Sequence, residues 1–143
     1  MLDPPDRPAA EIIRDQRPLV LSSDASVAAA CAAMHRRRVG AVLVVGENNL
    51  LAGIFTGRDA VRCLAEGCDG RNTPLQRVMT RNPVTLAPAQ TAMEALRLLD
   101  DGGFRHLPIC DEGRVIGIVS RYDFRAMEHA RLNEESRFFE VLR

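Results

Sequence analysis

The hydrophobic positions of this chain fall into a pattern that occurs twice. Phe104 to Asp123, FRHLPICDEGRVIGIVSRYD, reads as two short apolar strands joined by a tight turn. Asp111-Glu112-Gly113 is the turn, and Gly113 is expected to take the positive φ that a short hairpin requires. Val115 to Val119 is a continuous apolar run, the expectation for a strand buried on both faces. Ser120 and Asp123 then stand three apart where a helix should begin. There, a Ser N-cap and a first-turn carboxylate both favour helix initiation.

Gly40 to Asp59, GAVLVVGENNLLAGIFTGRD, repeats the plan. Gly53-Ile54-Phe55-Thr56 matches Gly117-Ile118-Val119-Ser120, and Asp59 matches Asp123, each at an offset of 64. Upstream the offset is 65, pairing Pro18 with Pro83, Leu19 with Val84 and Met34 with Leu99. The extra residue falls in the first hairpin turn, Gly46-Glu47-Asn48-Asn49, and turns are where insertions are tolerated. Before each hairpin runs an amphipathic helix, with Val27, Ala30, Cys31 and Met34 on one stripe. Ala92, Ala95, Leu96 and Leu99 form the matching stripe. A short helix over Ala9 to Arg14, facing Ile12 and Ile13 inward, has its counterpart in Leu75 to Met79 after Thr73-Pro74. Arg58 to Glu66 is predicted helical, with Val61, Leu64 and Ala65 as its apolar side. Tyr122 to about Leu132 is the equivalent helix.

A hydroxyl-x-x-Asp after Gly-hydrophobic-x, present twice in register behind a β-α-β-β unit, resembles a tandem pair of cystathionine-β-synthase-type (CBS) domains. The resemblance covers roughly residues 9 to 129. It implies an α+β fold of two β-α-β-β repeats related by a pseudo-twofold axis, forming one compact module. Repeat 1 is expected over 9–67, repeat 2 over 74–130, and a C-terminal helical tail over 131–143. Such modules commonly pair, and Phe138, Phe139, Val141 and Leu142 in the tail are costly to leave in water, so a homodimer is expected. The helices after the two Asp motifs are the expected interface.

The composition narrows the function without naming it. With 143 residues, 46% hydrophobic but only 4% aromatic, the chain has an aliphatic core of single-domain size. Lys+Arg and Asp+Glu are both 19, so no global field favours nucleic acid or an anionic membrane. The N-terminus lacks a signal-peptide pattern and nothing approaches the ~18 apolar residues of a spanning helix, so a cytoplasmic protein is expected. Cys31, Cys63, Cys68 and Cys110 lack metal-ligand spacing and read as reduced thiols. No nucleophile–base pair, P-loop or metal cluster is evident, so no catalytic residue, catalytic cofactor or metal is expected. Arg36-Arg37-Arg38 can be a phosphate or nucleic-acid contact, but is expected rather to complement a helix C-terminus and solvate it, since the second copy has Asp100-Asp101 there.

The resemblance implies two clefts between the repeats, each holding an adenine nucleotide or a related adenosyl ligand such as S-adenosylmethionine. A carboxylate can accept two hydrogen bonds from a ribose diol. A hydroxyl at a helix start can contact sugar or phosphate. Strand-edge backbone can read a purine between apolar walls. One cleft is expected to combine Thr56, Arg58 and Asp59 with Val84, Phe104, Arg105 and His106; the other, Ser120 and Asp123 with Leu19, Val39, Gly40 and Ala41. The first has the cations, because Arg suits phosphate and family members place Arg and His at the 105–106 positions. The second, with Gly40-Ala41 there and Tyr122 in place of Arg58, is expected to lack a strand cation, with Arg121 adjacent. The lesser readings are that each Asp is a helix cap, His106 a structural imidazole and Arg105 a surface cation. The expected function is regulatory binding of AMP, ADP, ATP or another adenosyl ligand, with a role in energy sensing. A conformational change would be read by an effector protein in trans. The alternative is a constitutive oligomerisation scaffold with vestigial clefts.

Overall fold

Each copy of the repeat folds as a helix and a β-hairpin, preceded by a strand in the first and a single bridge in the second, in the computed structural model, which describes residues 6–123. The lead-in helix α1 spans Ala9–Ile12, followed by β1 (Val20–Ser22), α2 (Val27–Arg37), β2 (Ala41–Val45) and β3 (Leu51–Thr56). Then come α3 (Gly57–Ala65), α4 (Leu75–Val78), β4 (Thr80–Arg81), α5 (Ala92–Gly102), β5 (His106–Asp111) and β6 (Arg114–Ser120). In the first sheet the order is β1-β2-β3-β4, with β1 parallel to β2 and the remaining pairs antiparallel. β5 and β6 form the second hairpin. Beside it, the first strand of repeat 2 has shrunk to one parallel bridge, Leu86 to Ile109, at the position equivalent to Leu21 and Val44. Pro88, two residues on, has no N–H for a longer ladder.

The copies agree in detail. Both hairpins shift register at equivalent places, between Val44 and Val45 and between Ile109 and Cys110. Gly113 has φ 81°, as its turn demands, and the longer first turn uses Asn48 and Asn49 at positive φ. On α2 the buried residues are Val27, Ala30, Ala33 and Met34; on α5 they are Ala92, Ala95 and Leu99. Cys31 and Leu96, matched on the stripe, are both half-buried. Ser26 caps α2 by accepting from the Ala29 N–H at 3.0 Å, while Thr91 and Glu94 form a capping box on α5.

Two expectations about burial are corrected. The Val115–Val119 run is not buried on both faces: Ile116 is 37% exposed and Ile118 half-buried, while Ile54 is 7% exposed. The second hairpin carries only a one-residue bridge on one flank, so more of its surface stays open. On α3 the buried side chains are Asp59 and Cys63, whereas Val61 and Leu64 are 68% and 81% exposed. The helix is amphipathic as read, but its apolar side is turned away from its own hairpin. The helix after Asp123 and the tail with Phe138 and Phe139 lie outside the described residues.

The two copies are joined by exchanging the segments that precede them. The lead-in to repeat 1 packs on repeat 2: Ala9 N–H donates to the Gln90 carbonyl (2.7 Å), Ala10 to Pro88 (3.0 Å), and Ala92 to Arg7 (2.9 Å). The lead-in to repeat 2 packs on repeat 1 through the matching set, Leu75 to Ala25 (2.8 Å), Gln76 to Ser23 (3.1 Å) and Val27 to Thr73 (2.9 Å). Ala9 and Ile13 therefore sit in the core of repeat 2 with Leu99, Leu107 and Ile109, and Leu75 in that of repeat 1 with Val42, Val44 and Phe55. Gly53 and Gly117 make room for this. An added Cβ would lie 2.7 Å from the Met79 sulfur at the first and 2.5 Å from Ile13 Cδ1 at the second. A third cluster, Ala41, Leu43, Ile54 and Val115, fills the space between the two sheets.

The exchange ends differently in the two copies. β4 pairs with β3, placing Thr80 opposite Ile54. Among the described residues no such strand lies next to β6; the Gln16 amide serves instead. Its Nε2 donates to the Ile118 carbonyl (2.8 Å) and its Oε1 accepts from the Ile118 N–H (2.7 Å). Gln16→Ala leaves both backbone groups without this partner and is expected to cost roughly 1–3 kcal/mol. Urea unfolding should show the midpoint falling at unchanged m. A midpoint within error of the wild type would show that solvent replaces the amide without loss.

Candidate ligand-binding clefts

The hydroxyl-x-x-Asp motif makes the same turn in both copies. The Thr56 N–H donates to Asp59 Oδ2 at 2.9 Å, its hydroxyl donates to the same oxygen at 3.1 Å, and the Asp59 N–H returns to Thr56 Oγ1 at 3.3 Å. In repeat 2 the Ser120 N–H and hydroxyl donate to Asp123 Oδ2 at 2.7 and 3.3 Å. Both carboxylates therefore cap the exit from the hairpin. They differ in what else they meet. Asp59 is buried and its Oδ1 pairs with Arg62 at 3.2 Å, whereas Asp123 faces a cavity.

That cavity, about 470 Å³, is the second of the two expected clefts. All six residues assigned to it line it together: Leu19, Val39, Gly40, Ala41, Ser120 and Asp123. Its strand lining carries no cation, but residues outside the strands bring three. Arg17, Arg37 and Arg38 stand on its wall. α2 ends with Arg38 in the left-handed conformation (φ 55°) and Val39 N–H bonded to the Met34 carbonyl at 3.1 Å. This turn brings the end of the helix to the cleft, and the Arg37 guanidinium reaches the Arg17 carbonyl across it. The basic run was read as helix-end solvation; its last two members are cleft residues. Gln16 and Ile118 also line the cavity; Ile118 is the hydrophobic position of the repeated motif, while no sequence signal marked Gln16.

The first expected cleft is gathered only in part. Arg58, Arg105 and His106 line a separate hollow of about 580 Å³ with Gly103, Ser120, Arg121 and Tyr122. Thr56, Asp59, Val84 and Phe104 line neither of these cavities. Asp59 is spent on its cap and on Arg62. The Phe104 ring lies over the end of α5, where a Cβ on Gly102 would come within 2.2 Å of it. Arg121 binds Asp100 (3.0 Å) and donates to the Leu99 and Phe104 carbonyls (3.1 and 3.4 Å). It thereby satisfies the open carbonyls at and beyond the end of α5.

His106 borders both cavities, with Nε2 about 3.6 Å from where a Cβ on Gly40 would lie. Burial lowers its pKa from the ordinary value of 6.5; the Arg105 charge lowers it further, and Asp123 opposes them. The imidazole is therefore neutral at pH 7, and the fixed cations are the arginines. Because the unfolded chain takes up this proton first, stability is expected to fall as pH drops below about 6.5. Imidazole NMR should place the His106 midpoint below 6.5, higher in Arg105→Ala and lower in Asp123→Asn. A wild-type midpoint at or above 6.5 would contradict the burial.

Two matches to the CBS domain sequence family, over residues 9–66 and 75–129, show that this chain belongs to it. The CBS domain-containing protein CBSCBSPB2 of Arabidopsis thaliana is 37% identical over 126 residues, 80% of this chain and 24% of that protein. The chain spans about a fifth to a quarter of the length of this and two similar Arabidopsis relatives. Among solved structures, the CBS domain pair of MJ0100 in complex with 5'-methylthioadenosine and S-adenosyl-L-methionine superposes with TM-score 0.81 at 22% identity. That match covers 89% of this chain and 99% of the other. PAE2072 from Pyrobaculum aerophilum, complexed with AMP, gives 0.75 at 19% identity, covering 82% and 89%. At these identities they show a shared fold, the CBS pair. No helix among the described residues is long and apolar enough to cross a membrane.

Proposed function

We propose that this CBS pair is a regulatory, non-catalytic module that binds an adenosyl ligand, with the cleft of Ser120 and Asp123 as its principal site. One observation carries the reading. A single cavity gathers a carboxylate suited to a ribose diol, a hydroxyl, two apolar strand edges and three arginines. The same fold holds AMP in PAE2072 and S-adenosylmethionine in MJ0100. The arginines favour a phosphorylated ligand (AMP, ADP or ATP) over S-adenosylmethionine. In the hollow beyond His106, Arg58 and Arg105 offer a further anion contact. Binding draws the two repeats together, and an effector protein reads the resulting shape.

Calorimetry with AMP, ADP, ATP, adenosine and S-adenosylmethionine tests this. Asp123→Ala should weaken adenosine and its nucleotides alike. Arg38→Gly keeps the left-handed turn while removing the guanidinium, so it should weaken nucleotides but spare adenosine. A charge-assisted contact of about 1.5–3 kcal/mol corresponds to roughly a ten- to hundredfold loss. If wild-type protein binds none of these, the module is a scaffold. If Asp59→Ala abolishes binding and Asp123→Ala does not, the other cleft is the site.

The exposed Val61 and Leu64 side of α3 supports self-association of two copies through this helix. Leu64→Asp should bring the light-scattering mass of a dimer down to the 15.8 kDa of one chain. A wild-type mass already at that value, at tens of micromolar, refutes the dimer.

A further inference from the structure

Three of the four cysteines converge on one place that the ligand reading does not use. Cys31 of α2 and Cys63 and Cys68 at the end of α3 line an apolar cleft of about 300 Å³, with Val27 and Val61 among its walls. The convergence has a local cause. α3 closes with the Cys68 N–H bonded to the Cys63 carbonyl (2.9 Å) and the Gly67 N–H to the Leu64 carbonyl (3.2 Å), and Gly67 sits at φ 75°. This is the Schellman closure, in which the third-last helical residue and the second residue past the cap touch. Those two positions are Cys63 and Cys68. The closure folds the chain back so that these two positions face each other, the arrangement an intramolecular disulfide requires.

An aliphatic pair would serve the closure as well, and the matched stripe of α5 uses Leu96 where α2 has Cys31. Here both positions of the closure carry thiols, and Cys63 and Cys68 line the same cleft. Cys68 is half-buried and reaches Thr73 Oγ1 at 3.6 Å, while Cys63 is buried. No group of three His, Cys, Asp or Glu side chains among the described residues is arranged to hold a metal ion. The pair is suited to covalent chemistry between its own members.

We propose that Cys63 and Cys68 are a redox modification site, closing to an intramolecular disulfide under a peroxide-class oxidant. The more accessible Cys68 thiol is oxidised first. Its sulfur takes one oxygen from the peroxide to give the sulfenic acid, and one water leaves. The Cys63 sulfur then attacks that sulfur, the S–S bond forms, the S–OH bond breaks, and a second water carries away the Cys63 proton. Two thiols lose two electrons and two protons, and one peroxide becomes two waters. A dithiol reverses the change by exchange. The bond ties the end of α3 to the linker entering repeat 2.

The test uses the whole chain, treated with hydrogen peroxide, then unfolded and alkylated before digestion with trypsin. Both sulfurs fall on one peptide, Cys63 to Arg71, so an internal disulfide appears as that peptide two hydrogens lighter and unalkylated. Dithiothreitol should restore its alkylation. Cys31→Ser should leave the result unchanged. Cys68→Ser, at a half-buried position, should abolish it while circular dichroism shows the fold intact. Alkylation of both thiols after peroxide, or a crosslink to the peptide carrying Cys31 or to a second chain, would overturn the assignment.

Discussion

Everything in this fold depends on the exchange of lead-in segments. A two-stranded hairpin with one helix cannot bury its sheet alone. Each copy solves this by taking the segment that precedes its partner. The three hydrogen bonds that seat Ala9, Ala10 and Ala92 match those that seat Leu75, Gln76 and Val27. Ile13 over Gly117 answers Met79 over Gly53. Neither core is complete without chain from the other side, so the clefts are built into a shared interior and not added to its surface.

The parts legible in the sequence were those that recur. Doubled apolar stripes, the one-residue turn insertion and the paired hydroxyl-x-x-Asp motifs lead to the CBS pair, and the structure has the helices, hairpins and capping turns they imply. What recurs less faithfully was harder to read. Val61 and Leu64 mark an apolar face, but periodicity does not say whether that face meets its own hairpin or something else. Gln16 replaces a strand with a side chain, and no pattern encodes such a substitution. Arg37 and Arg38 are ordinary helix-end cations by spacing. Only the left-handed turn at Arg38 and the parallel placement of β1 beside β2 bring them to Leu19 and Asp123.

Pseudosymmetry does not make the two clefts alike, because the copies differ in charge where the fold is indifferent to it. α2 ends in arginines that face a cleft. α5 ends in Asp100 and Asp101, and Asp100 engages Arg121. One helix end thus exposes cations while the other ties one up. The two Asp motifs diverge in the same sense. Arg62, one turn after Asp59, pairs with that carboxylate, while Asp123 is left facing the cavity with Arg17, Arg37 and Arg38. A shared backbone with unequal charges yields unequal sites.

The position of Gln16 bears on how occupancy of a cleft could be felt elsewhere. Its amide holds both backbone groups of Ile118, and both residues line the cavity that contains Asp123. Three residues before Gln16, Ile13 lies over Gly117 in the core of repeat 2. The cavity therefore borders a point where a single side chain, in place of a β-ladder, fastens the exchanged lead-in to β6. Repeat 1 has β4 at that place, with two residues paired to β3. A ladder yields only by breaking several bonds together, whereas an amide can turn about its own side-chain bonds. The end of the exchange fastened by a side chain is thus the one that can move with least cost, and it borders the cleft that holds Asp123 with Arg17, Arg37 and Arg38.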